Sequence, residues 1–330
     1  LNFLAPGLSF LLKVLDVRDM LSIQVHPDKA SAEREFAREN EEGVPLDSPI
    51  RCYKDDNHKP ELMVALSDFW LLHGFKPLEE LTDTLLNVTE LNELLPIFNE
   101  SGYSGLYRHV MEMPQAEVNR ILQPLLDAIR LRYQTTPPVN FDEDYWALKA
   151  ADTFNKDGNI DRGIFSIYLF NIVRLHKGEG IYQAAGVPHA YLQGQNVEIM
   201  ANSDNVLRGG LTTKHIDVKE LLKHVKCEAT YPSILNPAAN EEGERIFEAP
   251  VNDFRLSVFM LKKGDTVSFE PGGVEIILLT EGLVELDNDE DLIALKKGIP
   301  SAAVFPGQQV YLAAAEDSIV FRASGGFHKR

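Results

Sequence analysis

Nitrogen and oxygen donors that a metal ion can use occur in three separated segments of the sequence. In the first, Gln24 and His26 lie on one face of an alternating segment whose other face is apolar. Two such residues are about 6.6 Å apart along a strand, so both side chains can reach one ion. Alternation is equally typical of a half-buried strand with a solvated polar face. The His26-Pro27 strand end favours the metal site.

The second segment runs from Asn57 to Glu61 and combines an imidazole, a cation and a carboxylate beside a proline. We predict a strand that begins at Glu61 and holds its carboxylate rigidly as a metal ligand. His58 and Lys59 are then candidates for substrate binding and proton transfer. A solvated turn before a strand explains this segment equally well when it is taken alone.

The third segment is the turn Gly186-Val187-Pro188, which presents His189 at the start of a predicted strand. Alone, it is typical of a half-buried histidine at a turn. With the other segments it completes a set of four donors: Gln24, His26, Glu61 and His189. Such ligands with an open coordination position suit a catalytic divalent ion, above all zinc.

A further segment carries candidates for acid–base chemistry and anion binding. Glu198 is an inward residue of a predicted strand and, with Asp204, is a candidate for moving a proton. Arg208, flanked by glycines that permit close approach, and Lys214 are candidates for binding an anion. A surface ion pair between Arg208 and Asp204 is the alternative. The remaining histidines have no partner pattern and are interpreted as structural: His73, His109, His176, His215, His224 and His328.

The elements that must position these residues change type twice along the chain. Leucines three or four apart from Leu78 to about Arg132 predict helices. Short β-branched runs with frequent glycine turns, including Phe165 to Leu169, predict an antiparallel sandwich or barrel. Ile216 to Lys226 is predicted as a helix starting at Asp217. We therefore expect a first β unit from residues 1–76 and 151–229, a helical insertion over 77–150, and a second β unit over 230–330.

A weak internal repeat relates the two β units. The segment 175–192 is echoed by 295–312, with Gly307 in the place of His189. If both units are jelly rolls, the second lacks this metal-binding side chain. Chemistry is therefore expected in the first unit.

Composition excludes several classes of function. The 330 residues contain 32 Lys and Arg against 50 Asp and Glu, a formal charge of −18 that repels nucleic acids and anionic membranes. The 2 cysteines are too few for a disulfide framework. No apolar run reaches the roughly 18 residues that could span a bilayer. A reducing cytoplasm is the default compartment.

The motifs in these segments resemble type I phosphomannose isomerases, which are zinc-dependent enzymes of the cupin fold. The resemblance rests on Leu21–Pro27, His58–Glu61, and Asn202–Arg208 with Gly210–Lys214, and it covers Phe10 to about Lys214. It implies a mainly β protein of two cupin or jelly-roll sandwiches with a helical insertion. The family's N-terminal Tyr-Ala-Trp-Gly motif has no match, so we expect that segment to be missing from this sequence. Thr213 stands where proline is usual.

Carried over residue by residue, the resemblance assigns roles to the candidates. It implies that Gln24, His26, Glu61 and His189 bind zinc and that Arg208 is the catalytic arginine. The residues that it connects with the substrate phosphate are Lys13, Ser22 and Lys214. The polar groups that it connects with proton transfer are Lys59, Asp204, Glu198 and Tyr191; we also count Tyr191 and His58 among the substrate-binding residues.

The activity that the resemblance implies is interconversion of mannose 6-phosphate and fructose 6-phosphate through a cis-enediol. Two alternatives are a non-catalytic sugar-phosphate-binding cupin and another metal-dependent cupin enzyme, such as an epimerase or oxygenase. Because the substrate is a dianion and the chain as a whole is negatively charged, the site itself must carry positive charge. Lys13, Lys59, Arg208, Lys214 and the metal are expected to do so.

Overall fold

The structure, a computed structural model, describes residues 8–138, 141–288 and 290–326. Its first layer is a nine-stranded sheet in which all pairings are antiparallel. The strands are β1 (Phe10–Val17), β2 (Gln24–Val25), β3 (Glu61–Ala65), β4 (Phe69–Phe75), β5 (Phe170–Leu175), β6 (Gly180–Gln183), β7 (His189–Ala201), β8 (Leu207–Arg208) and β9 (Ile234–Leu235).

Strand β7 organises this sheet because it pairs with four others. Its first residues pair with β2 and β4, and its later residues pair with β1 and β3. The strand is 13 residues long, long enough to serve neighbours at both of its ends. Residues His189 to Glu198 therefore connect both parts of the sheet.

Helices pack against the first sheet through a shared apolar core. They are α1 (Lys29–Glu41), α2 (Leu78–Asn87), a 3₁₀ helix (Thr89–Leu94), α3 (Leu95–Glu112), α4 (Gln115–Thr135), α5 (Glu143–Phe154), α6 (Gly163–Leu169) and α7 (Val218–His224). The helical character expected between Leu78 and Arg132 is confirmed. Helix α7 is shorter than expected, and Asp217 caps it by accepting a hydrogen bond from the Glu220 amide at 2.8 Å.

Two predicted strands differ from the structure. Phe165–Leu169 was expected to be a strand, and this is wrong because it forms helix α6. Every residue of α6 is buried, so no polar face marks a helical period in the sequence. The strand expected over Leu21–Val25 is reduced to Gln24–Val25, although Ile23 still bonds to the backbone of Gly210.

A second β unit follows, made of a five-stranded and a four-stranded sheet. The all-β character expected here is confirmed. The strands are β10 (Glu244–Phe247), β11 (Phe254–Leu261), β12 (Thr266–Phe269), β13 (Glu275–Glu281), β14 (Val284–Asp287), β15 (Leu292–Leu295), β16 (Ser301–Val304), β17 (Val310–Ala314) and β18 (Ser318–Gly325).

Apolar cores lie on both faces of the five-stranded sheet. One core, with Ile277 and Leu312 among its residues, lies between the two sheets of this unit. The other joins Val258 and Phe321 to Leu62 and Ile199 of the first sheet. The two β units are thus packed together through buried apolar surface. β9, although it falls within the range expected for the second unit, pairs with β6 of the first sheet.

The sequence echo corresponds to a repeated order of strands. β5 and β15 end at the first residues of the two echoing segments, Leu175 and Leu295, and β6 and β7 on one side follow in the same order as β16 and β17 on the other. Gly178 and Gly298, at equivalent turns, have φ of 91° and 93°, a conformation that glycine adopts without strain. Within the described residues, no helix combines the length and apolarity needed to cross a bilayer.

Candidate metal centre

Three of the predicted metal ligands converge in the first sheet. Glu61 begins β3, His189 begins β7 and His26 directly follows β2. Their ligand atoms lie within 4.8 Å of one another, and all three residues are buried. Nε2 of His26 is 3.3 Å from Oε1 of Glu61, and Nε2 of His189 is 3.3 Å from Oε2. The fold thus assembles a His–Glu–His set from three distant segments.

Each histidine is oriented by a backbone carbonyl. Nδ1 of His26 donates to the carbonyl oxygen of Asn205 at 2.7 Å, and Nδ1 of His189 donates to that of Val187 at 3.0 Å. Since a carbonyl oxygen only accepts, the proton of each neutral ring is on Nδ1 and the lone pair is on Nε2. Neither Nε2 atom has a hydrogen-bond partner among the described residues. Two nitrogen lone pairs therefore face one negatively charged carboxylate. A cation bound between these three groups removes their electrostatic repulsion.

The directions in which the pKa values of His26 and Glu61 are shifted suit a metal ion. Burial lowers the pKa of His26, although Glu61 opposes the shift. Burial alone would raise the pKa of Glu61, but His26 and then Lys59 outweigh it and hold the pKa well below its usual value. Imidazole nitrogen and carboxylate oxygen are both common ligands of zinc. The donor set therefore fits zinc.

Gln24 lies next to this set through the strand pairing. It is directly opposite His189 across β2 and β7, and opposite Arg208 across β2 and β8. Residues directly opposite each other in an antiparallel ladder project to the same face of the sheet. The half-buried Gln24 therefore shares a face with both a candidate ligand and the candidate catalytic arginine.

A second polar cluster surrounds Glu198, further along β7. The hydroxyl of Tyr191 donates to Oε1 of Glu198 at 2.7 Å, and Nζ of Lys13 is 3.8 Å from Oε2. Burial, followed by the charge of Glu61, raises the pKa of Glu198 to about 7. A carboxyl group with such a pKa can both accept and release a proton near neutrality.

The structure separates the other candidates for proton transfer. Lys59 is buried, and its Nζ lies 3.2 Å from Oε1 of Glu61. Nε2 of His58 is instead hydrogen-bonded to Asp253 of the second β unit at 2.9 Å. Asp204 is exposed, and its backbone amide donates to a carboxylate oxygen of Asp55 at 2.8 Å. Of these, only Lys59 contacts the metal cluster.

The candidates for anion binding lie around β2 and β8. Arg208 is half-buried and forms no ion pair with any residue the structure describes. The surface ion pair with Asp204, which was the alternative interpretation of the sequence, is therefore not formed. Ser22 is half-buried just before β2, and Lys214 is exposed beyond β8. Lys13 and Lys59 each lie beside a carboxylate. A local positive charge therefore depends on Arg208, Lys214 and a bound cation.

Asn205 has a role that the sequence did not reveal. Its side-chain Oδ1 accepts from the Lys54 amide at 2.7 Å, and its Nδ2 donates to the carbonyl oxygen of Asn57 at 2.8 Å. Its own carbonyl orients His26. Asn205 lies in a motif we had singled out, but a buried loop asparagine carries no pattern that specifies these contacts. It fixes the loop behind the metal cluster.

His73 and Gln183 were also missed as neighbours of the cluster. Gln183 lies opposite Glu61 across β3 and β6, and His73 lies opposite His189 across β4 and β7. Nδ1 of His73 lies 2.9 Å from Oε1 of Gln183, and burial lowers the pKa of His73 to about 4. Only the register between distant strands reveals this pair. Of the histidines interpreted as structural, His328 lies outside the described residues.

A buried His–Glu–His set on an antiparallel sheet, in a protein with two β units, defines a metal-dependent protein of the cupin class. Residues 3–78 match the family model for the catalytic domain of type I phosphomannose isomerase. The chain is 36% identical over 323 residues to the mannose-6-phosphate isomerase of Salmonella typhimurium, covering 96% of this chain and 77% of that protein. It is 30% identical over 332 residues to mannose-6-phosphate isomerase 1 of Arabidopsis thaliana, covering 96% and 73%.

Solved structures agree with these relatives. A crystal structure of the zinc-bound Salmonella enzyme with its substrate, fructose 6-phosphate, superposes with a TM-score of 0.83 at 32% identity. The superposition covers 97% of this chain and 80% of that one. The chain belongs to the type I phosphomannose isomerase family.

Proposed function

We propose that this chain is a zinc-dependent mannose-6-phosphate isomerase, an aldose–ketose isomerase that interconverts mannose 6-phosphate and fructose 6-phosphate. The observation that carries the proposal is the pair of Nε2 lone pairs that face the carboxylate of Glu61. Relatives of the same family, at 30–36% identity over most of the chain, bear this name.

Zinc would be held by Gln24, His26, Glu61 and His189. When bound, it supplies a Lewis acid that polarises the sugar oxygens at C1 and C2. The backbone carbonyls of Asn205 and Val187 keep both imidazoles turned toward the site. The protein thus presents the ligand atoms in place, without a change of ring tautomer.

Isomerisation requires a proton to leave C2 of mannose 6-phosphate and a proton to reach C1, through a cis-enediol. Glu198 is the preferred carrier, because its buried carboxyl is bonded to Tyr191 and lies on the strand that also bears His189. Lys59 is the second candidate, since its buried ammonium group lies beside Glu61. Asp204 and His58 stay predictions, because the contacts of the first are with Asp55 and those of the second with Asp253.

The remaining charged groups would hold the substrate and balance its charge. Arg208 lies opposite Gln24 and would stabilise negative charge that develops on the sugar oxygens. Lys13, Ser22 and Lys214 would bind the phosphate and so fix the position of the sugar. Tyr191 would help to position the substrate through its hydroxyl.

The proposal includes the division of the chain that was expected from the sequence, although β9, within the last range, pairs with the first sheet. Residues 1–76 and 151–229 would form the catalytic unit, 77–150 the helical insertion, and 230–330 a second β unit without a metal. Cys52 and Cys227 are free thiols. This is in keeping with a reducing compartment, and the cytoplasm is the proposed location.

An isotope experiment tests the proposed reaction. Incubation of the zinc-loaded protein with mannose 6-phosphate in D₂O should yield fructose 6-phosphate, and NMR should show deuterium incorporated at C1. Appearance of an epimer would favour the epimerase alternative, and saturable binding without conversion would favour a sugar-phosphate-binding protein. Either result would overturn the isomerase proposal.

A further inference from the structure

The turn after Arg208 is held by a carboxylate from a distant part of the chain. Oδ1 of Asp161 accepts hydrogen bonds from the Leu211 amide at 2.8 Å and the Gly163 amide at 2.7 Å. Its Oδ2 accepts from the Thr212 amide at 3.1 Å. One side chain thus connects the start of α6 to the turn that links Arg208 with Lys214.

This turn has a backbone conformation that needs support. Leu211 has φ of 52° without being a glycine, a region that costs free energy for a side-chain-bearing residue. Gly210 precedes it with φ of 121°. Charge-assisted hydrogen bonds to both amides that follow Gly210 are the kind of contact that stabilises such a conformation.

Two glycines let the carboxylate reach both segments at once. A Cβ on Gly163 would lie 2.5 Å from the Leu211 nitrogen, and a Cβ on Gly210 would lie 2.4 Å from the Gly163 Cα. The two backbones are therefore in direct contact. Asp161 is itself oriented, because its own amide donates to Oδ1 of Asn155 at 3.0 Å.

The other end of the segment is fixed by β2. Gly209 donates its amide to the carbonyl of Ile23 at 2.9 Å, and Ile23 donates to the carbonyl of Gly210 at 3.0 Å. Arg208 itself lies opposite Gln24. Residues 207–212 are thus held between β2, which carries Gln24 and ends directly before His26, and the carboxylate of Asp161.

We propose that Asp161 is a positioning residue for the reaction: its carboxylate fixes the turn at 210–212, and so sets Arg208 and Lys214 against the substrate. This inference rests on the proposed function, because only that function gives Arg208 and Lys214 a substrate to act on. Asp161 itself touches neither the proposed metal ligands nor the substrate-binding groups by its side chain. Its effect is transmitted through the backbone.

The kinetic test compares Asp161→Ala and Asp161→Asn with wild type. Asp161→Ala should retain one zinc per chain by elemental analysis and lose about 10–100-fold in kcat/KM, the scale expected when a catalytic group is displaced by about 1 Å. Asp161→Asn retains one acceptor oxygen and should lose less of its kcat/KM.

Asp142→Ala is the matched control, because Asp142 also accepts a backbone hydrogen bond, from the Tyr145 amide at 3.0 Å, as the cap of α5. It should lower the Tm by about 2–4 °C and leave kcat/KM unchanged.

A double mutant separates positioning from general loss of stability. If Asp161 acts largely through Arg208, the combined loss in Asp161→Ala/Arg208→Ala should fall well short of the product of the two single losses. Fully multiplicative losses with Arg208→Ala and, in a second double mutant, with Lys214→Ala would overturn the proposal. So would a kcat/KM of Asp161→Ala equal to that of wild type.

Hydrogen exchange tests the same inference without any turnover. In Asp161→Ala, the peptide covering residues 209–214 should exchange its amides at least about 10-fold faster than in wild type, whereas Asp142→Ala should not change it. Unchanged exchange in that peptide would overturn the positioning role. Absence of turnover by wild type would instead overturn the proposed function, so the two failures are distinguishable.

Discussion

Gln24 lies directly opposite His189, where β2 pairs with the first residue of β7. This single register position brings a segment near the start of the chain against one more than 160 residues later. It places the amide of Gln24 on the face where His189 meets Glu61. A two-residue strand therefore determines whether the proposed fourth ligand is available.

Replacing Glu61 should remove the metal. Glu61→Ala deletes the only carboxylate of the His–Glu–His set, so zinc affinity should fall by more than about 100-fold, since even outer partners of metal ligands are worth 10–100-fold. Elemental analysis after dialysis measures the bound zinc. Glu33→Ala, at an exposed position on α1, is the control and should keep its zinc. Unchanged zinc in Glu61→Ala would remove Glu61 from the ligand set.

Glu198→Gln should separate proton transfer from metal binding. The amide keeps the shape of the side chain but cannot take a proton, so kcat should fall by about 100-fold or more while bound zinc is unchanged. Glu285→Gln, at an exposed position on β14 of the second unit, is the matched control. If Glu198→Gln turned over at the wild-type rate, Lys59 would become the preferred carrier.

Lys214→Ala should weaken binding of the substrate phosphate. Loss of one exposed charge-assisted contact should raise the KM for mannose 6-phosphate about 10-fold, with a smaller change in kcat. Lys219→Ala removes an exposed lysine from α7 and should leave the KM unchanged. Equal KM values for the two variants would contradict a phosphate contact at Lys214.

The sequence predicts those parts of the site whose pattern lies within a few neighbouring residues, and it misses those that depend on contacts between distant segments. The starts of β3 at Glu61 and of β7 at His189 were predicted, because a proline beside a strand-forming run is readable over a few residues. Helix α6 was missed because its fully buried residues have no polar face. The pairing of His73 with Gln183 depends on the register of four strands, which no local pattern contains.

The role of Asp161 was missed for a related reason. Its three partners are backbone amides, and two of them lie about 50 residues away in sequence. Almost every residue has a backbone amide, so no pattern of residue types in the sequence indicates such a contact. The glycines at 163 and 210 are visible in the sequence, but their contact with each other depends on the fold.

Stability should depend on pH through Glu220 on α7. Burial would raise its pKa, but the His224 ring 3.6 Å away and hydrogen bonds from Lys223 and Tyr53 outweigh it and lower the pKa to about 2. Because the folded pKa is below the unfolded value, this stabilisation is present above about pH 4.5 and is lost as the pH falls toward 2.

Glu220→Gln should therefore cost about 1–3 kcal/mol of unfolding free energy at pH 7. Calorimetric scans should show a Tm difference from wild type that shrinks as the pH falls below 4.5. Glu79→Gln, at an exposed position on α2, is the control and should track wild type throughout. A Tm difference that is independent of pH would show that the charge of Glu220 does not contribute.

The central claim is tested most directly by a coupled assay in which fructose 6-phosphate formed from mannose 6-phosphate is followed continuously. The zinc-loaded protein should turn over the substrate, lose activity after chelation and dialysis, and regain it when stoichiometric zinc is restored. Absence of turnover by the zinc-loaded protein, or turnover that survives complete removal of the metal, would contradict a zinc-dependent isomerase built on His26, Glu61 and His189.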